Sequence, residues 1–212
     1  MDPLLTQGQL SGFLLAAVLI TVAPGPDNLM VLALGMARGR RAGMAFGLGC
    51  AVGCLSHTTL AALGISALIA ASPSAFTTFR IAGGAYLVWL GARALRKARP
   101  PAVGTDSTVP VLDLRRLFAR GLIANAINPK VILFFLAFLP QFVDAARGRP
   151  GWQMAQLGVV FTLQAALIFA VIGWSAGRLG QWLARRPRVG VWLDRLAGGL
   201  FVALGLRLIV AR

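Results

Sequence analysis

Glutamate is absent from this sequence of 212 residues, and only 13% of the residues are charged. Hydrophobic residues make up 58% of the chain. A soluble domain of this size carries far more charge on its surface. The scarcity of charge therefore predicts an all-α, polytopic integral membrane protein. At about 20 residues per span, the chain suits a single transmembrane domain, 1–212, with about six spanning helices.

Histidine and cysteine are nearly absent too, with one His and two Cys in the chain. Cys50 and Cys54 lie four residues apart on one predicted helix, whereas a thiol–disulfide enzyme would need reactive cysteines in both halves. With His57 they form a row of about 10 Å along a helix, too long for one tetrahedral metal ion. We therefore expect packing residues and a hydrogen-bonded histidine, with no metal site, no cofactor, no catalytic residue and no enzymatic activity.

Positive charge dominates, with a formal net charge of +15. A nucleic-acid partner would be one explanation. The arginines, however, cluster in short loops between apolar segments, as expected where charge sets membrane topology. We therefore predict contact with membrane lipid and no nucleic-acid partner. The loops after the first, third and fifth predicted spans hold most of the Arg and Lys, so the positive-inside rule places both termini outside the cytoplasm.

Six apolar segments are separated by loops, and a basic polar linker at about 96–116 divides two halves of about 1–95 and 117–212. The third segment is the weakest, because Arg80 and Arg93 leave only a short uncharged stretch between them. The predicted spans are 10–36, 42–70, 76–95, 117–143, 152–174 and 189–210.

An internal repeat relates the third span to the sixth. The run RIAGGAY at 80–86 matches RLAGGLF at 195–201, and GAR at 91–93 matches GLR at 205–207. An odd number of spans in each half gives the two halves opposite orientations. The sequence thus predicts two inverted three-helix repeats, an architecture of many secondary transporters.

Glycine recurs at every fourth position from residue 35, which would let the second span approach a neighbouring helix closely. A homodimer and packing within one chain are both consistent with this row. Its members are Gly35, Gly39, Gly43 and Gly47.

Proline motifs interrupt the first and fourth spans. Proline removes a backbone donor and clashes with the preceding turn, so each span should be a helix broken near its middle. In a bilayer, a break is tolerated where its freed backbone groups face protein or a wet cavity. We predict that substrate passes between the two breaks. The predicted transport site consists of Pro24, Gly25, Pro26, Asp27, Asn28, Asn125, Asn128, Pro129 and Lys130.

Asp27 and Lys130 are the clear ionisable candidates away from span ends, where such groups are costly and usually functional. They could form an ion pair, or bind the two ends of a zwitterion, with Lys130 facing a carboxylate and Asp27 an ammonium group. Asp27 could also carry a proton and so couple efflux to the proton gradient. The structural alternatives are that Asp27 caps the second half-helix and that Lys130 snorkels or binds free carbonyls. Phe134, Phe135 and Phe138 are expected to pack between helices.

The motifs together closely resemble the lysine exporter / homoserine–threonine resistance family. The resemblance is carried by PGPDN at 24–28, GRRAG at 39–43, NPK at 128–130 and FFLAFLPQF at 134–142, and it covers nearly the whole chain. It implies export of small amino acids or related metabolites across the bacterial inner membrane, by proton antiport. The shared motifs do not encode the substrate. The alternative is a cation or heavy-metal exporter, which would need several carboxylate, Cys or His ligands from different helices, and only Asp27 is well positioned.

Overall fold

The computed structural model describes residues 5–65, 72–96 and 113–210, and within them every regular element is a helix. This confirms the all-α prediction for the described residues. The elements, in chain order, are α1 Gln7–Val22, α2 Pro26–Arg38, α3 Arg40–Thr59 with a π-helical extension Leu60–Ile65, α4 Pro73–Arg96, α5 Leu114–Ala126, α6 Pro129–Leu133 with a π-helical extension Phe134–Phe138 and a 3-10 turn Leu139–Phe142, a short 3-10 turn Ala145–Arg147, α7 Pro150–Arg185 and α8 Pro187–Val210.

Both predicted breaks are present. The axes of α1 and α2 are bent by 55° at the first break, and those of α5 and the helix that begins at Pro129 by 52° at the second. In each case the new helix starts with a proline in its first turn, where the missing N–H costs nothing. The prolines therefore end one helix and begin the next.

Two helices are long and apolar enough to cross a membrane, namely Arg40–Gly64 and Pro150–Leu183, and each bent pair would add one more span. This finding covers only the described residues. The remaining long helices, α4 and α8, have 24 residues each but are not among these candidate spans. The helices thus identify a membrane protein, while the six-span arrangement stays a prediction.

Some boundaries differ from the predicted ones. Helix α7 continues to Arg185 and not only to 174, because Arg178 lies on a helix and does not end it; the chain leaves the helix just before Pro187. Helix α4 begins at Pro73, three residues before the predicted start of the third span at 76. Most of the predicted linker lies outside the described residues.

The glycine row does not belong to one helix. Gly39 has a φ of 85° and joins α2 to α3, so Gly35 precedes the turn and Gly43 follows it. A Cβ on Gly43 would lie 2.8 Å from the carbonyl oxygen of Val31, and one on Gly47 would lie 2.7 Å from Cβ of Phe169. These close approaches are made to helices of the same chain, and the homodimer stays a prediction.

Helices α4 and α8 pack against each other through reciprocal glycine contacts. A Cβ on Gly84 would lie 2.8 Å from the carbonyl oxygen of Gly205, and one on Gly198 would lie 2.8 Å from that of Gly91. The two helices are therefore antiparallel, with Gly84 equivalent to Gly198. The sequence match paired Gly84 with Gly199, so the contacts shift that alignment by one residue and retain the pairing of GAR with GLR.

Aromatic side chains fill the core beside the second break. Phe134, Phe135 and Phe138 are almost completely buried. The ring centroids of Phe134 and Phe138 are 5.3 Å apart, and the ring of Phe134 also contacts that of Phe13 in α1. The prediction that these phenylalanines pack between helices is confirmed.

Candidate functional site

Lys130 occupies the end of α1, where proline has left backbone carbonyls without donors. Because Pro24 has no N–H, the carbonyl of Ile20 lacks its helical partner. The Lys130 Nζ donates to the carbonyl oxygen of Ile20 at 3.0 Å and to that of Ala23 at 3.0 Å. A cation is favourable at a helix C-terminus. The predicted carbonyl-binding role of Lys130 is therefore present, and the ammonium group keeps a third proton for another acceptor.

Asn28 binds the other carbonyls at the same break. Pro26 cannot donate to the carbonyl of Val22. Asn28 Nδ2 donates to the carbonyl oxygen of Thr21 at 2.8 Å and lies 3.5 Å from that of Val22. These bonds fix which end of the amide is nitrogen, and they leave Asn28 Oδ1 as a buried acceptor without a partner in the described part of the chain.

Glycine is required at position 25 because the lysine amine lies against it. A Cβ there would be 2.8 Å from Lys130 Nζ and 3.3 Å from Lys130 Cε. The amine is held by its two carbonyl acceptors, so it cannot move away without losing hydrogen bonds.

We expect Gly25→Ala to displace the Lys130 amine and destabilise the protein by about 1–3 kcal/mol, the cost of leaving a buried polar group unpaired. Thermal unfolding in detergent measures this. Gly199→Ala is the matched control, since nothing lies within 4 Å of its added Cβ. Equal unfolding temperatures for the two variants would contradict the account of Gly25.

Asp27 lies in the first turn of α2, where a negative charge is favourable. Its side chain is buried, and Oδ2 accepts a hydrogen bond from Asn125 Nδ2 at 2.9 Å. The N-cap of α2 is Gly25, with no side-chain capping bond. The capping alternative for Asp27 is therefore wrong, and its carboxylate is directed to the second broken helix.

The second break uses the same chemistry. Because Pro129 has no N–H, the carbonyl of Asn125 lacks a helical donor; it accepts from the Asn128 N–H at 2.9 Å and from His57 Nε2 at 3.1 Å. The carbonyl acceptor requires the His57 tautomer with its proton on Nε2. Asn128 caps α6, since its Oδ1 accepts from the Lys130 N–H at 3.0 Å.

Cys54 and His57, both on α3, contact Asn125 at the second break. Cys54 Sγ lies 3.5 Å from Asn125 Oδ1, while His57 holds the main-chain oxygen of the same asparagine. The sequence correctly predicted a hydrogen-bonded histidine and packing cysteines. It did not predict that their common partner is Asn125, whose amide in turn binds Asp27.

Asp27, Asn28, Asn125 and Lys130 line one small cavity between the two breaks. Its volume is about 20 Å³, room for about one water molecule and too little for an amino acid. The central cavity is therefore closed in this conformation. Its other walls, which the sequence analysis did not assign to the site, are formed by Ile20, Thr21, Cys54, Val131, Phe134, Phe161 and Phe169.

The two charged groups share the cavity but bind different partners. The Asp27 carboxylate accepts from an amide, and the Lys130 amine donates to main-chain carbonyls. Both side chains belong to the described residues, and no ion pair joins them. The direct-pairing alternative is not present in this conformation.

The other predicted site residues line a second, open groove of about 370 Å³. Lys130 lines both spaces, so it is the residue of the predicted site that the closed cavity and this groove share. The groove residues from the two breaks are Pro24, Gly25, Pro26, Asn128, Pro129 and Lys130. The predicted site is therefore divided into a central cavity and an adjoining groove.

Across residues 5–65, 72–96 and 113–210, no group of three or more His, Cys, Asp or Glu side chains is arranged to hold a metal ion.

Comparison with known proteins adds a family. The family model described as LysE type translocator matches residues 18–212. An uncharacterized membrane protein of Pseudomonas aeruginosa is 34% identical over 94% of this chain and 94% of its own length. A leucine efflux protein of Enterobacter sp. (strain 638) is 29% identical over 92% of each chain. A threonine efflux protein of Salmonella typhi is 29% identical over 92% of this chain and 94% of its own. No solved structure matches.

Proposed function

This chain belongs to the LysE type translocator family, and on that basis we propose that it exports amino acids across the bacterial inner membrane. Relatives that cover nearly the whole chain are a leucine efflux protein and a threonine efflux protein, which supports an amino-acid substrate. The comparisons do not favour a cation or heavy-metal exporter. The resemblance inferred from the motifs is confirmed at the level of the family.

The observation that carries the proposal is that Asp27 and Lys130 line the same cavity without pairing with each other. An amino acid carries a carboxylate and an ammonium group, and each needs a partner of opposite charge when it leaves water. The third proton of Lys130 serves the carboxylate. Asp27 and the unpartnered Oδ1 of Asn28 serve the ammonium group.

The remaining walls of the cavity favour an uncharged side chain. Phe134, Phe161 and Phe169 contribute apolar surface, and Asp27 and Lys130 are the charged residues of the described lining. A cationic or anionic side chain would need a further charged partner to offset its desolvation. We therefore infer that the substrate is a neutral amino acid, and that the cavity enlarges to admit it.

The two broken helices supply hinges for that enlargement. We propose six spans arranged as two inverted halves, with α1 and α2 forming one span and α5 with the segment from Pro129 to Phe142 forming another. The reciprocal contacts of α4 and α8 support related halves. In this scheme both termini lie outside the cytoplasm, and alternating access follows from motion at the breaks.

Proton antiport is the proposed coupling, with Asp27 as the carrier. A carboxylate that binds the substrate ammonium on one leg of the cycle and a proton on the return leg would exchange one cation for another at a single site. This requires that the same side chain lie in the transport cavity and reach both sides in turn.

Reconstituted protein tests the function. Proteoliposomes loaded with labelled L-leucine, L-threonine or L-lysine are expected to release the neutral amino acids, accelerated by a proton gradient directed into the lumen, and to retain lysine. A pH-sensitive dye trapped in the lumen should report acidification as the substrate leaves, because each released amino acid is exchanged for an entering proton. Release of none of a full panel of amino acids would contradict amino-acid export, and release without any pH signal would contradict proton coupling alone.

A further inference from the structure

The groove beside Lys130 is built differently from the central cavity. Its lining residues from the second break and from α4 include Asn128, Lys130 and Arg93, and the rest of the lining is apolar, glycine or proline. No carboxylate lines it among the described residues. The N-terminus of α2, at Gly25 and Pro26, adds a further positive end. The groove is therefore a positively charged depression that reaches the transport lysine from outside the closed cavity.

Asn128 supplies an observation that points to an anionic ligand. Its side chain is only 3% exposed, and its Nδ2 has no hydrogen-bond partner in the described part of the chain. The amide cannot simply be reversed, because Oδ1 accepts the Lys130 N–H. A buried donor without an acceptor is costly. An oxygen of a bound carboxylate would satisfy it.

The third hydrogen-bond donor that lines the groove is Arg93, in the last turn of α4. Its guanidinium lies over the Trp89 ring, 5.5 Å from the centroid. A guanidinium stacked in this way keeps its edge free to donate to a carboxylate. Arg93, Asn128 and Lys130 thus form a series of donors from the outer groove to the cavity.

We propose that this groove is the entrance through which the substrate's carboxylate reaches the central cavity from the side of the basic loops. Arg93 attracts the carboxylate, Asn128 donates to it, and Lys130 passes it from the groove into the cavity. The inference rests on the proposed function, because the carboxylate is that of the exported amino acid. It adds Arg93 as a recruiting residue that no transport motif contains.

Arg207 provides a matched control. The glycine contacts between α4 and α8 make Gly91 equivalent to Gly205, and therefore Arg93 equivalent to Arg207. Arg207 lines a different groove with Gln9 and Gln141, which does not include Lys130. Replacing either arginine removes one charge from an equivalent position at opposite ends of the same helix pair.

A thiol-labelling experiment tests the groove without any substrate. In Ala94→Cys, a cysteine on the groove wall should react with an anionic methanethiosulfonate roughly fivefold faster than with a cationic one, because positive potential concentrates anions. Reaction should occur in inside-out and not in right-side-out membrane vesicles.

Adding Arg93→Gln should remove most of the preference for the anionic reagent, and adding Arg207→Gln should leave that preference unchanged. The parent protein controls for Cys50 and Cys54, which are buried. No reaction, reaction from the opposite side only, or a preference unchanged by Arg93→Gln would overturn the proposal.

Transport kinetics of variants distinguish a failure of the entrance proposal from a failure of the proposed export function. For labelled L-leucine presented from the side of the basic loops, Arg93→Gln should raise KM roughly fivefold with little change in kcat, since a charge-assisted contact made before the cavity is lost. Arg93→Lys should restore most of the affinity, and the difference should shrink at high salt. Asn128→Asp keeps a good helix cap but should raise KM more, because an acceptor replaces the donor. Wild-type KM in Arg93→Gln and Asn128→Asp, beside loss of export in Lys130 and Asp27 variants, would overturn the entrance and leave amino-acid export standing.

Discussion

Replacing Lys130 by methionine is expected to lower the rate of amino-acid export at least roughly 30-fold, because losing one partner of a buried charge contact costs about 2–5 kcal/mol. Methionine keeps the length of the side chain but cannot donate to a substrate carboxylate. It also leaves the carbonyls of Ile20 and Ala23 without the lysine's hydrogen bonds. We therefore expect two effects, lost transport and reduced stability. Export from proteoliposomes and thermal unfolding in detergent measure them separately.

Lys130→Arg and Gly25→Ala distinguish the two roles of the lysine. Arginine keeps the charge and several donors, so transport should fall less than in Lys130→Met if carboxylate binding is essential. Gly25→Ala should reproduce the loss of stability, since its Cβ lies against the amine. Export by Lys130→Met at the wild-type rate, in correctly inserted protein, would show that the lysine serves only the carbonyls.

Asp27→Asn is expected to have the second large effect, and here the loss of transport should occur without a loss of stability. Asparagine has nearly the same shape, and its Oδ1 can still accept the hydrogen bond that Asn125 Nδ2 donates to the aspartate. The fold should therefore be kept, while the negative charge that faces the ammonium group is lost. We expect export to fall at least roughly 30-fold with an unfolding temperature close to that of the wild type. Any remaining export should be insensitive to the proton gradient, because asparagine cannot carry a proton.

Asp113→Asn serves as the control for removing a carboxylate. Asp113 is exposed and caps α5, and asparagine caps a helix equally well. This variant should transport like the wild type. If Asp27→Asn retained proton-driven export at the wild-type rate, Asp27 could be neither the ammonium partner nor the proton carrier.

The fold was predictable where backbone chemistry decides it. A proline within an apolar segment must free a carbonyl on the preceding turn, whatever surrounds it, so the positions of both breaks followed from Pro24, Pro26 and Pro129 alone. The sequence predicted that the glycine row would allow close helix contacts, but it did not show which helices would make them. The turn at Gly39 depends on a positive φ that the every-fourth spacing does not reveal.

The partners at the breaks could not be predicted, because they come from distant parts of the chain. Nothing in the spacing of Asn125 and His57 indicates that one binds the main chain of the other. The cavity walls Phe161 and Phe169 lie on α7 without motif or charge, so only tertiary packing assigns them to the site. Helix α7 extends beyond its predicted end, because one arginine on an exposed helical face does not terminate a helix.

The division of the predicted site into cavity and groove has a similar cause. The sequence could show that Asp27 and Lys130 lie at the two breaks, but not that the lysine would line two separate spaces. Arg93 had only its place in the repeat to distinguish it from the other arginines of the basic loops. Its place in the groove wall depends on which surface α4 turns toward the breaks, and the spacing of the sequence does not show this.

The most direct test of the central claim uses substrate analogues that lack one charged group. Competition with labelled L-leucine for binding to the purified protein, which needs no transport, would be measured for 3-methylbutylamine, which lacks the carboxylate, and for 4-methylpentanoate, which lacks the amine. Against wild-type protein, both should compete weakly. Asp27→Asn should lose competition by the amine and keep competition by the acid, and Lys130→Met should show the reverse. Equal effects of both substitutions on both analogues would contradict a cavity in which the aspartate and the lysine bind opposite ends of one amino acid.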